Sequence, residues 1–92
     1  MRLDPRDYGR IPPAIRAGLD RYAEHGLRGG NTLHAILCGD LFGAFARADP
    51  ETQAAMPAIV AYVVNDFFAP YGSAASVEAW IAQHTRRRSG AL

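Results

Sequence analysis

The sequence has no lysine, a single cysteine and no long apolar run. Each absence removes a class of behaviour. Cys38 has no partner in the chain, so no intrachain disulfide can form and the core alone must hold the fold. A reducing compartment suits such a chain, and a cytoplasmic protein is expected. The longest near-apolar stretch, residues 56–65, is interrupted by Pro57 and Tyr62. It falls far short of the ~20 residues that a spanning helix needs. The opening MRLDPRDYGRIPP has no apolar segment of the kind a signal peptide carries. Neither sign of charge dominates. Ten basic residues, all arginine, meet nine acidic ones for a net charge of +1. That balance alone names neither nucleic acid nor a membrane as partner.

What is present points to one helical domain. A chain of 92 residues fits a single domain with one small core and no room for a large cofactor cavity. Hydrophobic residues make up 49% and charged residues 21%, the balance of a globular chain rather than a disordered one. No stretch alternates apolar and polar residues with the period of a strand, whereas apolar residues recur at helical spacing throughout. The sequence predicts an all-α bundle of about five short helices over residues 1–92.

Residues 1–11 read as an extended arm, docked through Leu3 and Tyr8. Pro12 and Pro13 open the first helix, and Gly26 ends it after His25. Asn31 or Thr32 is expected to cap the second helix. Leu33, Ile36, Leu37, Leu41 and Phe45 form an apolar stripe, interrupted at Gly39-Asp40 by a helix breaker followed by a capping residue. A short helix, a break near Gly39 and a second short helix to about Ala48 follow from that step. Asp49-Pro50-Glu51 is the clearest start signal: a cap, a first-turn proline and an anion at the positive helix end. It opens a longer central helix over residues 50–68, with a kink near Pro57. Ser73 or Ser76 caps the last helix, which carries Trp80 and His84 on one face. Residues 89–92 are expected to fray.

The chemistry-bearing residues are few. His34 and Cys38 are four apart and share a helix face. They supply two metal ligands at most, and a site needs three or four. His25 and His84 join them only if the fold brings them near. As a nucleophile pair they would need a thiolate favoured by a helix N-terminus or a cation, and Cys38 sits near a helix C-terminus. No catalytic set, phosphate loop or dinucleotide fingerprint is present, so neither enzymatic activity, cofactor nor metal is expected. Gly29-Gly30 before a helix start is a common turn and only weakly suggests anion binding. Ala35, Gly39 and Gly43 would form a small-residue seam if their helix were continuous, suited to packing within the chain or between two copies. Arg86, Arg87 and Arg88 either complement a helix C-terminus or contact phosphates. Aromatic residues are the stronger lead. Phe42, Phe45, Tyr62, Phe67, Phe68, Tyr71 and Trp80 are more large rings than so small a core encloses. A partly exposed aromatic and acidic patch is expected over residues 66–71, with Asp66, Phe68 and Tyr71 as partner contacts and Arg86, Arg87 and Arg88 as a second contact.

Three stretches carry a resemblance: GGNTLHAILCGDLFGAFARAD at 29–49, IVAYVVN at 59–65 and YGSAASVEAW at 71–80. Together they resemble a group of small proteins encoded by tailed phages and prophages. The shared pattern is a Gly-Gly loop, an apolar helix ending in an Asp-Leu step, an Ala-Asp before a long helix, and a Gly-Ser before a Trp-bearing last helix. It consists of core and cap positions and transfers no active site. Pro57 and the three-arginine tail depart from it. The resemblance implies a phage or prophage protein that binds a host protein stoichiometrically, such as a CRISPR effector or other defence component, as an anti-CRISPR-type inhibitor does. The alternative is a dimeric nucleic-acid-associated regulator using Arg2, Arg6, Arg10 and the arginine tail.

Overall fold

Proline, glycine and short polar caps divide the chain into its elements. A computed structural model describes residues 8–90. Among these, five α-helices and a short 3-10 turn account for the regular structure, and there is no strand. The helices are α1 (Pro13–His25), α2 (Asn31–Leu37), α3 (Leu41–Arg47), α4 (Pro50–Asp66) and α5 (Ala74–Gly90). The protein is therefore an all-α single-domain bundle with a longer central helix, α4.

The caps explain most of the boundaries. Gly26 adopts φ 63° after α1, and its amide bonds to the Tyr22 carbonyl at 2.9 Å. The step from α2 to α3 is compact. Gly39, at φ 86°, donates to the Ile36 carbonyl at 3.1 Å, and Asp40 donates to the Ala35 carbonyl at 2.8 Å. That pair of bonds is the Schellman closure of a helix, which a glycine accommodates without a Cβ penalty. Asp40 then turns from closing α2 to opening α3, its carboxylate accepting from the Gly43 amide at 2.9 Å. Asp49 does the same for α4, accepting from the Thr52 amide at 2.8 Å. These bonds hold its carboxyl below the usual aspartate range. Ser73 opens α5 by accepting from the Ser76 amide at 3.1 Å.

Several boundaries differ from the sequence expectation. Gly30, in extended conformation, precedes α2, and Asn31 is already its first helical residue with no side-chain cap. The central helix ends at Asp66 rather than residue 68, because Phe67 turns to ψ 129° and lays its ring against Tyr22 and Tyr62. Helical structure continues on both sides of Pro57, whose ring faces solvent. The arm is not extended throughout: residues 8–10 form the 3-10 turn and Ile11 is buried. Docking through Leu3, and the roles of Arg2 and Arg6, lie outside the described residues. The last helix reaches Gly90 instead of fraying from residue 89, and residues 91–92 also lie outside.

The core has two lobes. One gathers Ile11, Ile36, Ala44, Met56 and Ile59 between the N-terminal segment, α2, α3 and α4. The other gathers Leu19, Tyr22, Leu37, Val63 and Val77, joining α1 and α5 to the far half of α4. Ile15 and Tyr62 pack against both. Alanine lets these short helices approach closely: Ala44, Ala55, Ala58 and Ala61 are all buried. No helix among the described residues is long and apolar enough to cross a membrane.

Candidate functional site

The turn between α4 and α5 presents the aromatic patch expected from the sequence. Phe67 is half-buried, its ring centroid 6.0 Å from that of Tyr22 and 6.2 Å from that of Tyr62. Phe68, the next residue, is 77% exposed, and Tyr71 is 43% exposed. The turn is held rigidly from behind. Gly72 donates to the Leu37 carbonyl at 2.6 Å, and the Tyr22 hydroxyl donates to the Pro70 carbonyl at 2.6 Å.

Asp66 is exposed, but it also has an internal task. It accepts a 2.6 Å hydrogen bond from the Tyr8 hydroxyl, which in turn accepts from Asn65 Nδ2 at 3.1 Å. The Tyr8 ring meets Tyr62 edge-on at 5.5 Å, and the Arg16 guanidinium lies 4.2 Å from the centre of that second ring. Asp66 thus fastens the N-terminal segment to α4.

The arginine tail does not join the aromatic turn. Arg86 lies twelve residues beyond Ala74, so it stands ~18 Å along α5 from the turn. Arg86 and Arg87 are exposed. Arg88 donates to the His25 carbonyl at 2.6 Å and to the Thr85 hydroxyl at 3.2 Å, tying the end of α5 to the end of α1.

The sequence reading missed a second exposed surface on α3. It placed Leu41 and Phe45 on one apolar stripe with Leu33, Ile36 and Leu37, interrupted at Gly39-Asp40. The break at Gly39 resets the helix direction, and of α3 only Ala44 is buried. Leu41 is 43% exposed, Phe45 49% and Phe42 96%. These residues with Ala46 and Met56 line one hollow. Leu41 also lines an adjoining apolar groove of about 180 Å³ with Val60, Val64 and Tyr71. The signal available in the sequence was the surplus of rings, which said that some must be outside without saying which. The same break removes the Ala35–Gly39–Gly43 seam: Ala35 is buried, while Gly39 belongs to the turn.

His34 and Cys38 do share a face, with Nε2 3.5 Å from Sγ. Both line a wide polar hollow with Arg28, Asn31, Asp40 and Arg47. Burial pushes the Cys38 thiol above its ordinary value, helped by Glu78 and Asp40 and opposed by Arg28. Burial likewise lowers His34, with Arg28 acting in the same direction and Glu78 against it. A thiol and an imidazole held in their neutral forms make a weak nucleophile pair. His84 instead bonds to the Trp80 carbonyl at 3.0 Å, and His25 lies beside Glu24 at 3.7 Å. No group of three or more metal-ligating side chains comes together among the described residues. In the Gly29-Gly30 loop, Arg28 donates to the Gly29 carbonyl at 3.1 Å.

Compared with known proteins, the chain matches no family, no curated protein and no solved structure.

Proposed function

We propose that the chain is a stoichiometric binding protein that captures another protein through the α4–α5 turn. The supporting observation is Phe68, a phenyl ring 77% exposed on a turn anchored from behind by two short hydrogen bonds. A ring held out on a rigid turn loses little conformational freedom on binding, which makes it a good anchor for a partner's pocket. Tyr71 supplies a second ring with a polar end. Asp66 lies at the edge of this surface. Arg86 and Arg87 form a separate contact at the other end of α5.

The resemblance to small tailed-phage proteins makes the partner a host protein, with CRISPR effectors and other defence components as candidates for an inhibitor of this kind. That assignment rests on the resemblance, and no step of it uses catalysis. The test is affinity capture from the host cell, identification of the co-purifying protein, and reconstitution of the complex from purified components. The Phe68→Ala/Tyr71→Ala variant should keep its helical content and lose at least tenfold in affinity, the scale of a hot-spot truncation of ~1.4 kcal/mol or more. A folded double variant that binds as tightly as the native chain would remove the turn from the interface.

A further inference from the structure

The fold sorts charge in a way that a near-neutral total hides. Of the eight arginines among the described residues, Arg21, Arg28, Arg86, Arg87 and Arg88 lie at the end of the molecule where both α1 and α5 finish, and all five are exposed. Packing fixes that arrangement. His84 lies so close to Gly26 that a Cβ there would clash with it, and Arg88 donates to the His25 carbonyl. Arg28 is two residues beyond Gly26, and Arg86 and Arg87 stand within a turn of His84, so these backbones fall within ~20 Å of one another. Arg21 joins them from one turn back along α1. Its Nη2 lies 3.9 Å from where a Gly18 Cβ would sit, beside Leu33, which packs in turn on Gly29 next to Arg28. Carboxylates do not follow. Only Glu24 and Glu78 belong to this end: Glu24 lies beside His25 at 3.7 Å, and Glu78 opposes Arg28 in the field at His34. Asp20 is taken by Arg16 at 4.0 Å. The other three arginines share the rest of the described chain with five carboxylates.

We infer that this basic pole binds the phosphate backbone of duplex DNA without reading its sequence. The inference names the partner of the separate contact proposed for Arg86 and Arg87, and it rests on that reading for those two residues alone. Charge complementarity carries it. Guanidinium groups match phosphate oxygens with paired N–H donors. Arg21, Arg86 and Arg87 have no ion-pair partner among the described residues. Arg28 keeps spare donors beyond its bonds to the Gly29 carbonyl and the Asn31 side chain. The surrounding surface selects a polyanion over other acidic partners. Of the exposed large apolar side chains, only Leu27 lies at this end. A membrane surface holds a helix by an apolar face that it buries, and a protein partner is held by apolar and aromatic anchors. This end offers neither. Counterion release from DNA needs no apolar surface, so guanidinium groups alone supply the affinity. None of the exposed Phe and Tyr rings lies here either, which favours a duplex over a single strand whose bases stack on such rings.

The test is fluorescence anisotropy of a short labelled DNA duplex, titrated with the full chain across a salt series. The native chain should bind at low salt, with a slope of log affinity against log salt of about −3 to −4, as four neutralised phosphates require. Arg21→Ala/Arg28→Ala should flatten that slope by ~2. Both side chains are exposed, so helical content should stay as in the native chain. This pair decides the matter, because it lies far from the tail in sequence and contributes only if the fold assembles one pole. Arg16→Ala removes an exposed arginine outside the pole and should leave the slope unchanged. Phe68→Ala/Tyr71→Ala should bind the duplex like the native chain, which separates this contact from protein capture by the turn. No binding to the duplex at low salt overturns the inference, as does a native slope in folded Arg21→Ala/Arg28→Ala. Tighter binding to phosphatidylserine vesicles, or to a single strand of the same length, overturns it equally.

Discussion

Tyr22 does more work than any other single residue in the described chain. Its ring is 1% exposed and stacks on Phe67. Its hydroxyl donates to the Pro70 carbonyl, and its own carbonyl accepts from Trp80 Nε1 at 2.9 Å and from the Gly26 amide. One residue therefore joins α1 to the α4–α5 turn and to α5. Replacing it with Phe keeps the ring but leaves the Pro70 carbonyl without its donor. The expected cost is ~1 kcal/mol, read as a lower urea midpoint. Burial, with a smaller contribution from Cys38, raises the Tyr22 hydroxyl from 10.0 to about 12. The folded state then holds a proton that the unfolded chain releases near 10. Its contribution to stability is complete below that value and is lost as pH rises toward about 12. Urea midpoints measured on either side of pH 10 should fall more steeply for the native chain than for Tyr22→Phe. Equal slopes would show that the hydroxyl is not held as described. Ile15, Leu19 and Tyr22 recur at helical spacing, but that spacing gives no sign of these bonds, because their partners lie 48 and 58 positions away.

The helices themselves were legible where their signals are local. Asp49 before Pro50, Gly26 after His25 and Ser73 before α5 each act within one turn of their own position. Gly39-Asp40 was legible for the same reason: a breaker followed by a cap closes one helix and opens the next. The helix ends that moved are those set by distant contacts. Phe67 leaves α4 to stack on rings from α1 and from α4 itself, which no local pattern announces. Gly39 allows a sharp test at this scale. Its φ of 86° disfavours any side chain, and a Cβ there would lie 2.8 Å from the Gly72 carbonyl oxygen. Gly39→Ala should therefore destabilise the fold by at least ~1–2 kcal/mol, the cost of the left-handed conformation before any clash is relieved. Gly30→Ala is the matching control, since a Cβ at that position meets nothing within 4 Å. Thermal melts of the two variants should separate clearly. Similar melting temperatures would argue that the α2–α3 junction can be rebuilt without its glycine.

Over the whole molecule, function depends on which surfaces packing leaves over, and periodicity cannot count those. An apolar stripe names a face of a helix but not whether another element covers it. The stripe through Leu41 and Phe45 is uncovered because α3 contributes only Ala44 to the core. The arginine tail shows the same limit from the polar side. Three adjacent cations look equivalent in the sequence, yet the fold gives them different roles. Arg88 bridges α5 to the α1 carboxyl end through the His25 carbonyl, where Gly26 also packs closely against His84. Arg86 and Arg87 remain exposed. A bond of this kind at an exposed site contributes modestly, so Arg88→Ala should lower stability by ~0.5–1 kcal/mol, while Arg86→Ala/Arg87→Ala should stay within ~0.5 kcal/mol of the native chain. Binding should divide the opposite way. If the tail contacts phosphates, the Arg86/Arg87 pair carries the salt dependence, and its removal should flatten the slope of log affinity against log salt by ~2 on duplex DNA. Parallel urea titrations and salt-dependent DNA titrations of the two variants measure both effects. Equal stability losses in both would dissolve the distinction between a structural Arg88 and a free pair.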